Sequence, residues 1–167
     1  CDSKNSDKRI SSIKVLQLIL ESLLSWFAPI LSFTTEEIYR LVNKESNKSI
    51  HLRKFIKIPQ NWKNEKLNKK WIDLKKIRDV SNISIEGKRS EKVIGSSLEA
   101  NIKIKLKKEL YEIAKDFDFA EICITSEAEI IISKNIKEEV VVETFKAEGE
   151  KCSVCWKIKK GKCLRHG

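Results

Sequence analysis

The 167-residue sequence contains no methionine, two prolines, five glycines and two histidines. Each shortage excludes something. A translated chain starts with Met, whereas this one opens at Cys1 with no apolar segment for a signal peptidase to remove, so it reads as a piece of a longer polypeptide. Five glycines form no Gly-rich phosphate loop. If one histidine serves a metal, a His-based catalytic triad would rest on His51 alone, and His51 reads as a surface or capping residue. No catalytic residue is expected within the chain. Long apolar runs are also missing. The most apolar stretch, residues 15–33, is interrupted by Gln17, Glu21, Ser22, Ser25 and Pro29, while a bilayer helix needs about 20 mostly apolar residues. The expectation is a soluble chain without a membrane partner.

What is present is charge and a sufficient core. Hydrophobic residues make up 41% of the chain and the formal charge is +10. The charge is segregated: residues 117–150 carry 3 basic and 9 acidic side chains, whereas residues 151–167 carry 6 basic and none acidic. An acid-free tail after an acidic stretch suggests a face for a polyanion, set against the plainer reading of a lysine-rich solvated surface. Five cysteines is an odd number, and three of them lie in the last sixteen residues. That suits a metal cluster in a reducing cytoplasm better than a secreted disulfide framework.

The pattern along the chain changes period. Ile10, Ile13, Leu16, Leu20, Leu23, Leu24, Phe27 and Leu31 recur at helical steps, with Pro29 ending or kinking the run. Thr34 and Glu37 suggest a capping box that opens a second helix, continued by Ile38, Tyr39, Leu41 and Val42. Residues 50–58 read as short and extended or irregular. A third helix is predicted from Leu67 through Trp71, Leu74, Ile77 and Val80 toward Lys92, with Gly95 as its C-terminal cap. Ile102, Ile104 and Leu106 alternate with Lys103 and Lys105, the signature of a strand with one dry and one charged face. A short helix over 107–115 and further strands at 121–125, 129–133 and from Val140 toward Ala147 complete an α+β unit. Cys123, between two isoleucines, reads as a buried core thiol.

The strongest chemical signal is Cys152-Ser-Val-Cys155, then seven residues, then Cys163-Leu-Arg-His166. C-x2-C and C-x2-H pairs can each clasp one side of a tetrahedral Zn²⁺. A redox dithiol at the first pair is the alternative, but such a motif normally opens a helix after a strand. Within the tail no carboxylate stands ready as a general base, so the site is expected to be structural, with metal supplying the ordering energy. Around it, Lys151, Lys157, Lys159, Lys160, Lys162 and Arg165 form a candidate phosphate-binding set. Trp156 could stack on an unpaired base, although packing over the zinc ligands or the preceding sheet is the simpler expectation.

Three stretches share one further property. Residues 28–39 (APILSFTTEEIY), 91–100 (EKVIGSSLEA) and 147–156 (AEGEKCSVCW) resemble, in order, the C-terminal region of bacterial isoleucine–tRNA ligases, a family of class I aminoacyl-tRNA synthetases. The zinc-bearing end selects this family over valine- and leucine-specific relatives. The resemblance implies a mixed fold: the later helices of an anticodon-binding bundle over 1–60, a helix plus α+β junction domain over 61–150, and a zinc module over 151–167 that contributes to recognition of tRNA(Ile). It further implies a monomeric cytoplasmic parent whose Rossmann catalytic domain, with ATP and Mg²⁺, lies in the remainder of the polypeptide. The family usually closes its zinc site with a second C-x2-C pair, so a cysteine beyond Gly167 is an alternative to His166 as fourth ligand. A non-enzymatic zinc-ribbon adaptor that binds RNA generically or docks on a protein is the competing reading.

Overall fold

The computed structural model describes residues 5–44, 47–133, 135–163 and 166. The chain divides into two units, residues 1–63 and 64–167.

The first unit is helical. Helix α1 runs over Asp7–Phe27 and α2 over Ser32–Val42. Pro29 ends α1, since proline cannot donate to the helical ladder. Leu24 and Ala28 from the end of α1 meet Tyr39 and Ile50 in a small buried cluster, with Leu20 and Ile38 packed around it. The predicted capping box at Thr34 is not formed. The helix starts two residues earlier, at Ser32, which places Thr34 inside it. The neighbouring Thr35 hydroxyl donates back to the Leu31 carbonyl at 2.8 Å. Glu36, rather than Glu37, makes the structural contacts: it accepts from Arg40 Nε at 2.7 Å, Ser49 Oγ at 2.8 Å and the Ile50 amide at 2.9 Å. These bonds hold its carboxyl at about 2 against an ordinary 4.5, with Arg40 the largest cause, then Ile50 and Ser49. Residues 50–58 are irregular apart from a single 3-10 turn at Ile50–Leu52. His51 lies exposed, its ring nitrogen 3.2 Å from the Ser32 carbonyl.

By length and composition alone α1 could cross a membrane, with a mean hydropathy of 1.4. Gln17, Glu21 and Ser22 nevertheless interrupt it. In the folded unit the inner end of the helix is claimed by Tyr39 and Ile50.

The second unit begins with α3, Glu65–Ser90, whose N-cap Asn64 accepts the Leu67 amide at 3.0 Å. Leu74, Ile77, Ser81 and Ile85 recur at steps of three and four and are buried. Gly95 is not its cap. The helix closes at Lys92, whose φ is +58°, with Lys92 N–H bonded to Arg89 O and Val93 N–H to Lys88 O. This paired pattern satisfies the last carbonyls three residues before the glycine, at the cost of a left-handed lysine.

Strand β1 (Ala100–Leu106) is the centre of a three-stranded sheet, parallel to β2 (Glu127–Ile132) and antiparallel to β3 (Val140–Lys146). Parallel neighbours need a crossover connection, and here it is built from α4 (Lys108–Ala114) and α5 (Phe119–Ile122). Ala100, Ile102, Ile104 and Leu106 all point into one core with α3, Ala114, Phe119 and Val140. Fully burying one isoleucine is worth about 1.5–3 kcal/mol, so this row carries much of the unit's stability. The opposite face holds Lys103 and Lys105, paired with Glu129 and Glu143 respectively. The strand expected at 121–125 is instead α5 and its exit. Asp118 accepts the Ala120 and Glu121 amides and starts a helical turn, so Phe119 and Cys123 are buried at helical spacing. Cys123 is buried as expected, and burial pushes its thiol up.

Candidate metal centre and nucleic-acid face

A short ribbon completes the second unit: β4 (Glu150–Lys151) pairs antiparallel with β5 (Ile158–Lys159). Between them the chain makes a tight knuckle, with Trp156 N–H donating to Cys152 O at 2.9 Å and Cys152 N–H to Lys157 O at 3.0 Å. The turn forces Trp156 to a φ of +63°. That left-handed geometry costs a non-glycine residue about 1–2 kcal/mol and persists only where its surroundings fix it.

The knuckle brings Cys152 and Cys155 to Cys163 and His166. All four ligand atoms lie within 4.8 Å of one another. Cys155 Sγ is 3.8 Å from Cys163 Sγ, and His166 Nδ1 is 3.6 Å from Cys152 Sγ and 3.4 Å from Cys163 Sγ. A tetrahedral Zn²⁺ with bonds of about 2.3 Å to sulfur and about 2.05 Å to nitrogen has ligand separations of roughly 3.8 Å and 3.6 Å. The donor set fits such an ion in both chemistry and size. The backbone amides of Cys155 and Val154 are the main causes that bring the Cys152 thiol down to about 6, favouring the thiolate a metal requires. Burial pushes Cys155 the other way. Among the described residues Glu150 is the only carboxylate lining the roughly 200 Å³ hollow at the cluster. Four protein ligands would leave no open coordination position for it to serve.

The ribbon is fastened to the sheet by one buried side chain. Ser126, at 1% exposure, donates from Oγ to Leu98 O at 2.6 Å and accepts the Ile158 amide at 2.6 Å. At Gly149, with φ +126°, the Lys159 carbonyl comes so close that an added Cβ would lie 2.1 Å from it. No sequence motif marks Ser126. Its partners are 28 and 32 residues away.

The six basic residues of the tail do not share one role. Lys159 pairs with Glu127 at 2.9 Å, Lys160 with Glu148 at 2.7 Å, and Lys157 reaches the Ala120 carbonyl at 3.4 Å. Lys151 lies 5.8 Å from the centre of the Trp156 ring. Lys162 is exposed, and Arg165 lies outside the described residues. Trp156 departs from the packing expectation: it is 59% exposed. The left-handed turn leaves its ring largely in solvent, with Lys151 over it.

Comparison with known proteins gives this geometry a family. Residues 1–106 match the family described as the anticodon-binding domain of tRNA ligase. The isoleucine–tRNA ligase of Pelagibacter ubique is 63% identical over 166 residues, which is 99% of this chain and 18% of that protein. The corresponding ligases of Agrobacterium fabrum and Bartonella henselae are 39% and 37% identical over 95% and 94% of the chain, each alignment covering 17% of the relative. The chain thus spans less than a fifth of the length of these relatives. With a helical first unit, a mixed sheet and a Cys3His cluster in the order this resemblance requires, the chain belongs to the anticodon-binding domain family of tRNA ligases.

Proposed function

We propose that these 167 residues are the anticodon-side tRNA-binding part of an isoleucine–tRNA ligase and hold one structural Zn²⁺. The observation that carries the reading is the 63% identity to such a ligase along 99% of the chain. In this reading the parent is a monomeric cytoplasmic enzyme. It attaches isoleucine to tRNA(Ile) using ATP and Mg²⁺ bound in the remainder of the polypeptide. The fragment contributes no catalytic residue. Its domains are the bundle helices over 1–60, the junction over 61–150 and the zinc module over 151–167.

Cys152, Cys155, Cys163 and His166 would hold the ion. When bound, it would cross-link the two ends of the ribbon and so fix the knuckle that presents Trp156. Lys151, Trp156 and Lys162 would meet the RNA directly. Lys157, Lys159, Lys160 and Arg165 belong to the same basic set. Surface ion pairs such as Lys160–Glu148, with both side chains 76% exposed, contribute little and can exchange for a phosphate.

The test is binding of the zinc-loaded chain to tRNA(Ile) across a salt series. Expected is an affinity that falls steeply with salt, weakens on Lys162→Ala and Trp156→Ala, and exceeds that for unrelated tRNAs. Equal affinity for all tRNAs would favour a generic zinc-ribbon adaptor. Elemental analysis should find about one zinc per chain, and its absence under reducing conditions would remove the metal from the reading.

A further inference from the structure

In the second unit α3 packs on β1 and β3 and α4 on β1 and β2, while on the face that carries Lys103 and Lys105 the side chains stay part-exposed. On that face, Phe145 of β3 stands opposite Asn101 of β1 and remains 53% exposed among charged neighbours. β5 of the ribbon closes one side of this face, leaving a cleft of about 600 Å³ whose lining includes Phe145, Asn101, Lys103, Lys157 and Lys159. That volume lies within the range of small-ligand sites.

The cations in the cleft differ. Lys103 is paired with Glu129 and Lys159 with Glu127. The Asp118 carboxylate, also on the rim, accepts the α5 amides. Lys157 has no carboxylate partner among the described residues. Its ammonium gives one long bond to the Ala120 carbonyl at 3.4 Å and retains two donors. An exposed aromatic ring and an ammonium with no carboxylate partner among the described residues, lining one cleft, offer the two contacts a single-stranded nucleotide uses: a stacking surface and a phosphate ligand.

We infer that the cleft between the lysine-bearing sheet face and β5 takes one unpaired nucleotide of the bound tRNA, its base stacked on Phe145 and its phosphate held by Lys157. This rests on the tRNA-binding reading above and shares Lys157 with its basic set, but its stacking residue, Phe145, lies in β3 and outside the zinc tail. Ser126 matters here as a positioning residue. By holding the Ile158 amide it sets the distance between Lys157 and the sheet.

The experiment is tRNA(Ile) binding to the zinc-loaded full chain. Stacking of one base on an aromatic side chain corresponds to a loss of roughly 5- to 150-fold when that side chain is truncated. Phe145→Ala and Phe145→Leu should both lose affinity in that range, and Phe145→Tyr should restore it to within about twofold. Lys157→Ala should flatten the log–log salt dependence by about 0.7, the value of one single-strand phosphate contact. A photoreactive phenylalanine at position 145 should cross-link to an unpaired nucleotide. If Trp156→Ala and Lys162→Ala weaken binding while Phe145→Ala does not, the cleft assignment is overturned and the zinc-tail reading stands. If the unaltered chain shows no salt-sensitive binding, both fall. A cross-link to protein in place of RNA would also overturn the assignment.

Discussion

The three-stranded sheet and the ribbon that follows it are held by opposite means. The sheet buries an unbroken row, Ala100, Ile102, Ile104 and Leu106, against α3 and the crossover helices. The ribbon, over residues 150–163, has no fully buried side chain. What it has instead is a Cys3His cluster around a left-handed turn at Trp156, and the Ser126 anchor. The helical first unit lies between these extremes, with a small apolar cluster and a polar latch at Glu36. Apolar area orders a segment that has it. A segment made of lysines and exposed side chains needs directional bonds instead, and that frees its surface for a ligand.

The largest effect that would separate the two regions is metal removal. Structural zinc contributes on the order of 10 kcal/mol of binding energy to small metal modules. A chelator, or Cys155→Ser, should therefore abolish amide protection from Glu150 to Cys163 in hydrogen exchange and leave Ile102 to Leu106 protected. Loss of protection in both would show that the ribbon and sheet fold as one unit. The reciprocal change is Ile104→Ala, expected to destabilise the sheet by about 2–5 kcal/mol through the cavity it leaves. Denaturant unfolding monitors it, and zinc content under native conditions should be unchanged.

Ser126→Ala tests the connection itself. It strands the Ile158 amide and the Leu98 carbonyl, a cost of about 1–3 kcal/mol. The ribbon should exchange faster while the metal remains bound. The smallest effect belongs to the first unit. Because the Glu36 pKa is depressed to about 2, its stabilisation is complete above the unfolded value near 4.5. It should be lost as pH falls from there through about 2. An acid titration of stability should show this slope, and Glu36→Gln should lack it in that window.

Local pattern made much of this legible. The alternation around Ile104 identified the central strand because one face is buried and the other carries lysines that solvent and Glu129 and Glu143 satisfy. C-x2-C with C-x2-H pointed to the residues that the fold brings within 4.8 Å of one another because the motif's spacing is short. The failures share a cause. Thr34 and Glu37 have the composition of a capping box, but the helix starts at Ser32 and Glu36 makes the bonds to Ser49 and Ile50. Gly95 looked like a cap, but the helix found its closing bonds at Lys92 first. Residues 121–125 have strand composition, yet Asp118 supplies a helix start that burial of Phe119 reinforces. In each case a set of hydrogen bonds that composition does not display chose between two locally reasonable conformations: local ones at Lys92 and Asp118, and at Glu36 ones that reach Ser49 and Ile50.

The sequence by itself determined the family, the helical period of the first unit, the dry face of β1 and the spacing of the Cys3His group, because each is written within a short window. Only the tertiary structure decided that Ser126 anchors the ribbon, that Trp156 faces outward, that Lys159 and Lys160 are engaged by carboxylates, and that Phe145 and Lys157 share a cleft. Those outcomes depend on pairings across roughly 10 to 40 residues, and such pairings exist only once the chain has paid the entropy of closing the loops between them.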